Sequence, residues 1–259
     1  MHWPAEAIWE AVAPQWPTFS VEVLPEIDST NSELMRRARA GQFEPVLLVA
    51  QSQTAGRGRL GRSWQSGTQG ALTFSLGIAL QPHDWSGLSL AVGLAVAEAL
   101  HPALQLKWPN DVWLQGRKLA GILIETASVG EVRYAVIGIG VNITMPDATG
   151  LQTPPAALSE LLPGVDAPTA LARIAVPLIT AVRRFEVDGF AALQPAFSAR
   201  DALRGQGVQC SDGIVGVARG VDANGALLVH TDAGVKKITS AEVSVRPSGA
   251  PASPDSPKL

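Results

Sequence analysis

Residues 53–64 read QTAGRGRLGRSW. Arg57, Arg59 and Arg62 stand among Gly56, Gly58 and Gly61, in a stretch from 45 to 83 that contains no Asp or Glu. Glycines let backbone N–H groups come close to an anion, and guanidinium groups offer paired donors to phosphate. A loop of this kind can close over a nucleotide. Two familiar nucleotide motifs fit it badly. Residues 56–61 match G-x-G-x-x-G after a strand, but RSWQSGTQG follows where a dinucleotide fingerprint needs a helix. A Walker A loop needs a lysine that this segment lacks. A solvated basic turn is an alternative. So is a nucleic-acid surface with Trp64 as a stacking platform, against which stand a formal charge of -3 and the lack of a second basic cluster nearby.

Four further stretches contain groups with chemical potential. KWPNDVWL (107–114) sets Lys107 and Asp111 about a Pro109-Asn110 turn, which reads as a site or as a hairpin with a surface ion pair. In RKLAGILIE (117–125), Lys118 opens an apolar run in which Gly121 admits a close neighbour. An ammonium in such a partly dry cleft attracts phosphate or carboxylate more strongly than it would in water. GIGVN (138–142) places Gly138 and Gly140 in a strand, which destabilises it unless a ligand or a tightly packed helix lies against the backbone. DSTN (28–31) is a helix cap whose hydroxyls can also bond a small polar head group. The four histidines, His2, His83, His101 and His230, have no metal-ligand spacing.

The elements that must hold these groups follow from periodicity and breakers. Residues 1–18 contain three tryptophans and three prolines and predict a short helix around 5–12. No Lys or Arg precedes Arg36, so this segment is a poor DNA reader. Then come a strand at 19–24, a helix from DSTN to about Ala40, strands at 46–50 and 71–80, and a helix at 86–100. The strands of KWPNDVWL, RKLAGILIE and VRYAVIGIGV complete a mixed sheet. Residues 144–168, rich in Pro, Asp, Thr and Gly, read as a long surface loop with one helical turn. Residues 169–200 read as helix interrupted at Pro177 and Pro195. Beyond 204, short β-runs with a DANG turn at 222–225 predict a small barrel, and the Pro/Ser-rich end predicts a disordered tail.

With 259 residues, 46% hydrophobic and 17% charged, the chain has material for one large and one small domain. The single cysteine, Cys210, excludes intrachain disulfides and multi-cysteine metal clusters. The acidic N-terminus does not resemble a secretory leader, and 88–100 is too short to span a bilayer. A cytoplasmic protein without membrane contact is expected.

Taken in order and spacing, DSTN, QTAGRGRLGRSW, KWPNDVWL, RKLAGILIE and GIGVN resemble the biotin protein ligase family, densely over 19–145, and 205–246 resembles that family's C-terminal domain. The resemblance implies an α+β fold: a mixed β-sheet with packed helices, of the class II aminoacyl-tRNA synthetase-like biotin ligase kind, plus a small SH3-like β-barrel. The expected division is an N-terminal extension (1–18), a catalytic domain (19–203), the barrel (204–246) and a disordered tail (247–259).

It also implies an activity. Biotin and ATP, with Mg²⁺, give biotinyl-5′-AMP, and the biotinyl group passes to one lysine of a biotin carboxyl carrier protein, such as that of acetyl-CoA carboxylase. Lys118, Arg59 and Asp111 would be catalytic, Arg59 by shielding the adenylate and Asp111 as base or charge partner for the incoming carrier lysine. Ser29, Thr30, Gln53, Gly56, Arg57, Lys118, Gly121, Gly138 and Gly140 would bind biotin. Arg57, Arg59, Arg62, Trp64, Lys107, Asn110, Lys118 and Asn142 would bind the nucleotide, with the loop 144–155 over adenine. No protein-held metal site is expected. Many family members carry an N-terminal DNA-binding domain, for which the residues before Asp28 leave too little chain, so no DNA partner is expected. A monomer or weak homodimer is expected. A lipoate or octanoate ligase or transferase is the nearest alternative, and a non-enzymatic nucleic-acid module a more distant one.

Overall fold

Strand β3 (Ala71–Ala79) alternates apolar with small polar residues, and that alternation divides the molecule. Leu72, Phe74, Leu76 and Ile78 point to the main core, while Thr73, Ser75 and Gly77 point to the opposite face. Its neighbour β7 (Val132–Asn142) does the same: Ile137, Ile139 and Val141 enter the core, and Tyr134, Val136, Gly138, Gly140 and Asn142 face the other way. The computed structural model describes residues 2–64, 70–151, 153–239 and 245–247.

These strands lie inside a seven-stranded sheet with β1 (Ser20–Leu24), β2 (Val46–Ala50), β4 (Gln105–Lys107), β5 (Asp111–Leu114) and β6 (Arg117–Val129). The spatial order is β1-β2-β3-β7-β6-β5-β4. β1 and β2 are parallel and all other neighbours antiparallel, so the sheet is mixed, as expected. One face is covered by α1 (Ala5–Val12), α3 (Leu88–Leu100) and α4 (Ala167–Asp188). α3 is apolar nearly all round, as a helix wedged between a sheet and a second helix should be. Ile8 and Val12 of α1 are buried in the same core.

The other face is covered only in part. α2 (Thr30–Arg39) lays Leu34, Met35 and Ala38 on Tyr134 and Val136, forming a small second core. Gly138 lies under Asn31 in the first turn of α2, and among the described residues no helix lies above Gly140 and Asn142.

Two expectations about loops and helices are corrected. α4 runs unbroken through Pro177, because that proline is exposed and the carbonyl it leaves without an N–H partner belongs to exposed Arg173. Pro195 lies in the first turn of α5 (Gln194–Ser198), where a proline is tolerated, rather than breaking a longer helix. The segment 144–168 is not wholly a surface loop: Ala156, Ala157 and Leu158 are buried, leading into one 3₁₀ turn at Leu158–Glu160.

The C-terminal unit is an antiparallel five-stranded sheet of order β11-β10-β9-β8-β12, made by β8 (Gly207–Cys210), β9 (Val215–Val221), β10 (Leu227–Thr231), β11 (Gly234–Ile238) and β12 (Val245–Pro247). Among the described residues β11 and β12 do not pair, so the expected barrel is an open sheet over these residues. Its β9–β10 turn reaches the large unit, where buried Trp108 donates from Nε1 to the Gly225 carbonyl at 3.0 Å. The tail from 248 onward, expected to be disordered, lies outside the described residues, as do 65–69. Among the described residues no helix is long and apolar enough to cross a membrane.

Candidate active site

Register aligns the site's first row. Lys107, Asp111, Gly121, Gly140 and Thr73 are successive partners across β4, β5, β6, β7 and β3. Cross-strand partners share a face. The row therefore reads cation, anion, bare backbone, bare backbone, hydroxyl. The adjoining row is Leu123, Gly138 and Ser75. Above them lies a cleft of about 370 Å³, within the range of small-molecule sites. Every residue to which the resemblance gives a role lines it except Gly56, which lies under the backbone of Trp64. Part of the 144–155 segment lines it too, through Pro146, Leu151 and Pro155.

One end is cationic. The Lys118 Nζ lies 2.7 Å from Asp111 Oδ1, and Lys107 Nζ lies 3.9 Å from Oδ2. The surface ion pair considered for KWPNDVWL is corrected: Lys107 and Asp111 side chains are only 10% and 11% exposed. Burial pushes the Asp111 carboxyl up, but Lys118 and Lys107, with Arg59 behind them, outweigh it and hold the group below the usual carboxylate range. Burial lowers Lys107 to about 8, with repulsion from Lys118, Arg62 and Arg59 partly cancelling the help of Asp111. One carboxylate among four cations leaves a surplus of positive charge, which suits a phosphate. Arg59 donates to Asn110 Oδ1 at 3.2 Å, and Asn110 is itself anchored by donating to the Ile122 carbonyl at 2.7 Å.

The backbone of Lys118 is held as firmly as its side chain. Its N–H donates to the Pro154 carbonyl at 2.8 Å, and its carbonyl accepts from Ala156 N–H at 2.8 Å. Asn142, expected to touch the nucleotide, turns its amide nitrogen to the carbonyls of Lys118 (3.3 Å) and Ala156 (3.0 Å). It ties the 154–156 segment to the start of β6.

The opposite end is polar and built around the start of α2. Ser29 caps the helix by accepting from Ser32 N–H at 3.4 Å. Thr30 donates from its N–H (2.7 Å) and its hydroxyl (3.2 Å) to Gln53 Oε1. Ser75 Oγ lies 2.7 Å from Thr30 Oγ1 and donates to Asn31 Oδ1 at 2.6 Å. Asn31 donates to the Leu123 carbonyl at 3.2 Å and to Glu125 Oε2 at 3.0 Å. Glu125 Oε1 accepts from Arg57 Nη2 at 2.8 Å, so the arginine loop has a counter-ion that local sequence does not show. Asp28 accepts from the Ser29 N–H at 2.7 Å. It bonds and ion-pairs with Arg36, which holds its carboxyl at about 2.

Asn31, Thr73, Ser75 and Glu125 belong to the site, and sequence reasoning gives none of them a role. Ser75 had a signal, because Thr73, Ser75 and Gly77 alternate with Leu72, Phe74 and Leu76. Glu125 closes the RKLAGILIE run, where a glutamate late in a strand gives no local signal.

The glycine loop folds as a small hairpin over the row. Trp64 N–H bonds the Gly56 carbonyl at 2.9 Å, Gly58 N–H bonds the Arg62 carbonyl at 2.7 Å, and Arg59–Gly61 forms one 3₁₀ turn at the tip. No helix opens from residues 56–64, which removes the dinucleotide reading of residues 56–61. A Cβ at Gly140 would strike the Trp64 indole, and one at Gly138 would strike the Asn31 amide. The glycines thus admit protein side chains as well as leaving the backbone bare. Lys118 Nζ sits 5.8 Å from the Trp64 ring centre, a cation–π contact. Among the described residues no group of three or more His, Cys, Asp or Glu could hold a metal ion.

The chain is similar to known proteins along most of its length. The profile of the Biotin/lipoate A/B protein ligase family matches residues 23–142, and that of the Biotin protein ligase C terminal domain matches 206–246. The bifunctional ligase/repressor BirA of Escherichia coli is 36% identical over 88% of this chain and 74% of its own length. The biotin–[acetyl-CoA-carboxylase] ligase of Paracoccus denitrificans is 35% identical over 85% of this chain and 98% of its own. Among solved structures, the biotin protein ligase of Aquifex aeolicus in complex with biotin and ATP superposes with a TM-score of 0.74 at 31% identity. That match covers 88% of this chain and 99% of the other.

Proposed function

The chain belongs to the biotin protein ligase family, and from that membership we propose that it joins biotin to AMP and then passes the biotinyl group to a lysine of a carrier protein, such as a biotin carboxyl carrier protein. The observation that carries this reading is the two-ended cleft. A hydrogen-bonding pocket at Thr30, Gln53 and Ser75 and a cationic cluster at Lys107, Lys118 and Arg59 are joined along the Gly121–Gly140 row, where the absence of side chains makes room for the Trp64 indole.

The first step forms a bond between a biotin carboxylate oxygen and the α-phosphorus of ATP and breaks the bond to pyrophosphate. Ser29, Thr30 and Gln53 hold the ureido head, Arg57 lies toward the carboxylate, Gly56 seats the backbone of Trp64, and Gly138 and Gly140 make room for the Asn31 and Trp64 side chains that wall the bicycle beside Gly121. Lys118 stands at the junction, where carboxylate and phosphate meet. Lys107, Arg59 and Arg62 offset the charge that builds on phosphorus, Trp64, Asn110 and Asn142 shape the nucleotide side, and 144–155 closes over adenine. This is catalysis by position and preorganised charge. In the second step the carrier lysine's amine attacks the acyl carbon, the bond to AMP breaks, and the amine loses its proton. Asp111, buried and already bound to Lys118, serves as the charge partner that aims Lys118.

The nucleotide arrives as Mg·ATP. Asp111 is the carboxylate at the cationic end and is engaged by Lys118, so the described residues do not fit a resident Mg²⁺ cage.

The polar pocket favours biotin over lipoate, because a dithiolane ring has no use for the donors and acceptors around Gln53. A nucleic-acid reading is disfavoured by Arg57, paired with Glu125, and by Trp64, laid on Gly140. We place the enzyme in the cytoplasm as a monomer or weak homodimer. Incubation with biotin, Mg·ATP and a purified carrier domain should add one biotinyl group to a single lysine by intact mass. Labelling with lipoate instead would move the assignment to the other branch of the family.

A further inference from the structure

Glu125 has no role in the chemistry above, yet it closes a ring. It sits on β6, opposite Val136 and facing the cleft side of the sheet. Its two oxygens are divided: Oε1 takes Arg57 at 2.8 Å and Oε2 takes Asn31 at 3.0 Å. From Asn31 the chain of bonds continues through Ser75 and Thr30 to Gln53. Gln53 and Arg57 bracket the start of the glycine loop, so the base of that loop is tied to the sheet at two points through one run of polar groups. Arg57 also faces Ser63 in an isolated β-bridge, and Gly56 holds Trp64. The position of Arg57 therefore passes to the indole that covers Gly140.

Stability does not explain this arrangement. Arg57 is 46% and Glu125 22% exposed, and exposed ion pairs contribute little. A carboxylate beside a site for an anionic acid weakens binding unless it holds something in place. We propose that Glu125 is a positioning residue, the latch that keeps the glycine loop closed over the bound acid and its adenylate. The proposal rests on the ligase reading of the same cleft.

The test compares wild type with Glu125→Ala, Arg57→Ala, the double variant and Glu125→Gln. Three quantities are measured in each: KM for biotin, kcat of biotin-dependent pyrophosphate exchange, and the rate at which preformed biotinyl-5′-AMP leaves. Loss of one charge-assisted hydrogen bond should raise KM and release by about tenfold in Glu125→Ala. In Glu125→Ala kcat should stay within about threefold and Tm should be unchanged. The double variant should lose no more than the worse single one. Glu125→Gln, which keeps an acceptor for Arg57, should fall between wild type and Glu125→Ala. Unchanged release, or losses that add in the double variant, would overturn the latch. If Glu125→Ala does not fold, faster release in Glu125→Gln, which leaves Arg57 in place, supports the latch, and wild-type release in that variant overturns it. A wild type without exchange overturns the ligase reading and the latch together, whereas normal exchange with unaltered variants overturns the latch alone.

Discussion

Lys118 Nζ and Asp111 Oδ1 meet at 2.7 Å although the two residues are not register partners. A register shift between Val112 and Trp113 sets Lys118 opposite Trp113 and leaves Asp111 opposite Gly121, where no side chain stands between carboxylate and ammonium. The pair aims the ammonium into the cleft. Asp111→Asn should therefore lower kcat/KM for adenylate formation by about a hundredfold, the scale of a misplaced catalytic group. Steady-state exchange kinetics check this, and a variant with wild-type kcat/KM would remove Asp111 from the positioning of Lys118.

Arg59 reaches from the loop tip to Asn110 across the cationic end. In Arg59→Gly the adenylate should escape before the carrier lysine arrives, and nearby proteins should be biotinylated indiscriminately. Mass spectrometry of labelled bystander proteins reads this out. Unchanged selectivity at normal turnover would place the barrier to release elsewhere.

Lys107 gives a pH signature. In the folded protein burial lowers it from the ordinary 10.5 to about 8. Above about 8 it loses its charge, so kcat/KM for ATP should fall there, and Lys107→Met should lack that limb. Stability moves in the opposite direction. Between 8 and 10.5 the unfolded chain binds the proton that the folded one has released, so folding gains stability as pH rises through that window. Thermal melts at pH 7.5 and 9.5 should show a larger gain in wild type than in Lys107→Met. Equal gains would mean that Lys107 titrates normally.

Gly140→Ala tests the floor of the site. Its Cβ would meet the Trp64 ring, so the indole must lift and the loop with it. KM for biotin should rise by about tenfold or more, with the strand intact, since alanine suits a strand as well as glycine does. Binding calorimetry and circular dichroism separate the two effects, and unchanged affinity would show that Trp64 does not cover the bound acid.

How far the site could be read in advance depended on how anomalous each residue was for its element. Gly138 and Gly140 in a strand, and Lys118 at the head of an apolar run, break local rules and so stood out. Glu125 broke none, because its partner Arg57 is 68 residues away and a glutamate late in a strand is ordinary. Lys107 and Asp111 look alike in a surface hairpin and in a buried one; what buries them is the neighbouring strand and the loop above. Short β-runs announced the C-terminal strands, but closure of a barrel depends on edges that alternation does not encode. Pro177 read as a break because its ring is incompatible with one carbonyl, and only its exposed position let α4 continue.

The central claim is that the cationic end receives phosphate and the polar end receives biotin. Its most direct test is biotin-dependent exchange of labelled pyrophosphate into Mg·ATP, run with wild type and Lys118→Ala and with lipoate in parallel. Exchange with biotin, little with lipoate, and a loss of at least about a hundredfold in the variant are predicted. Folded wild-type protein that exchanges with neither acid, or a Lys118→Ala variant that exchanges as well as wild type, would contradict the account.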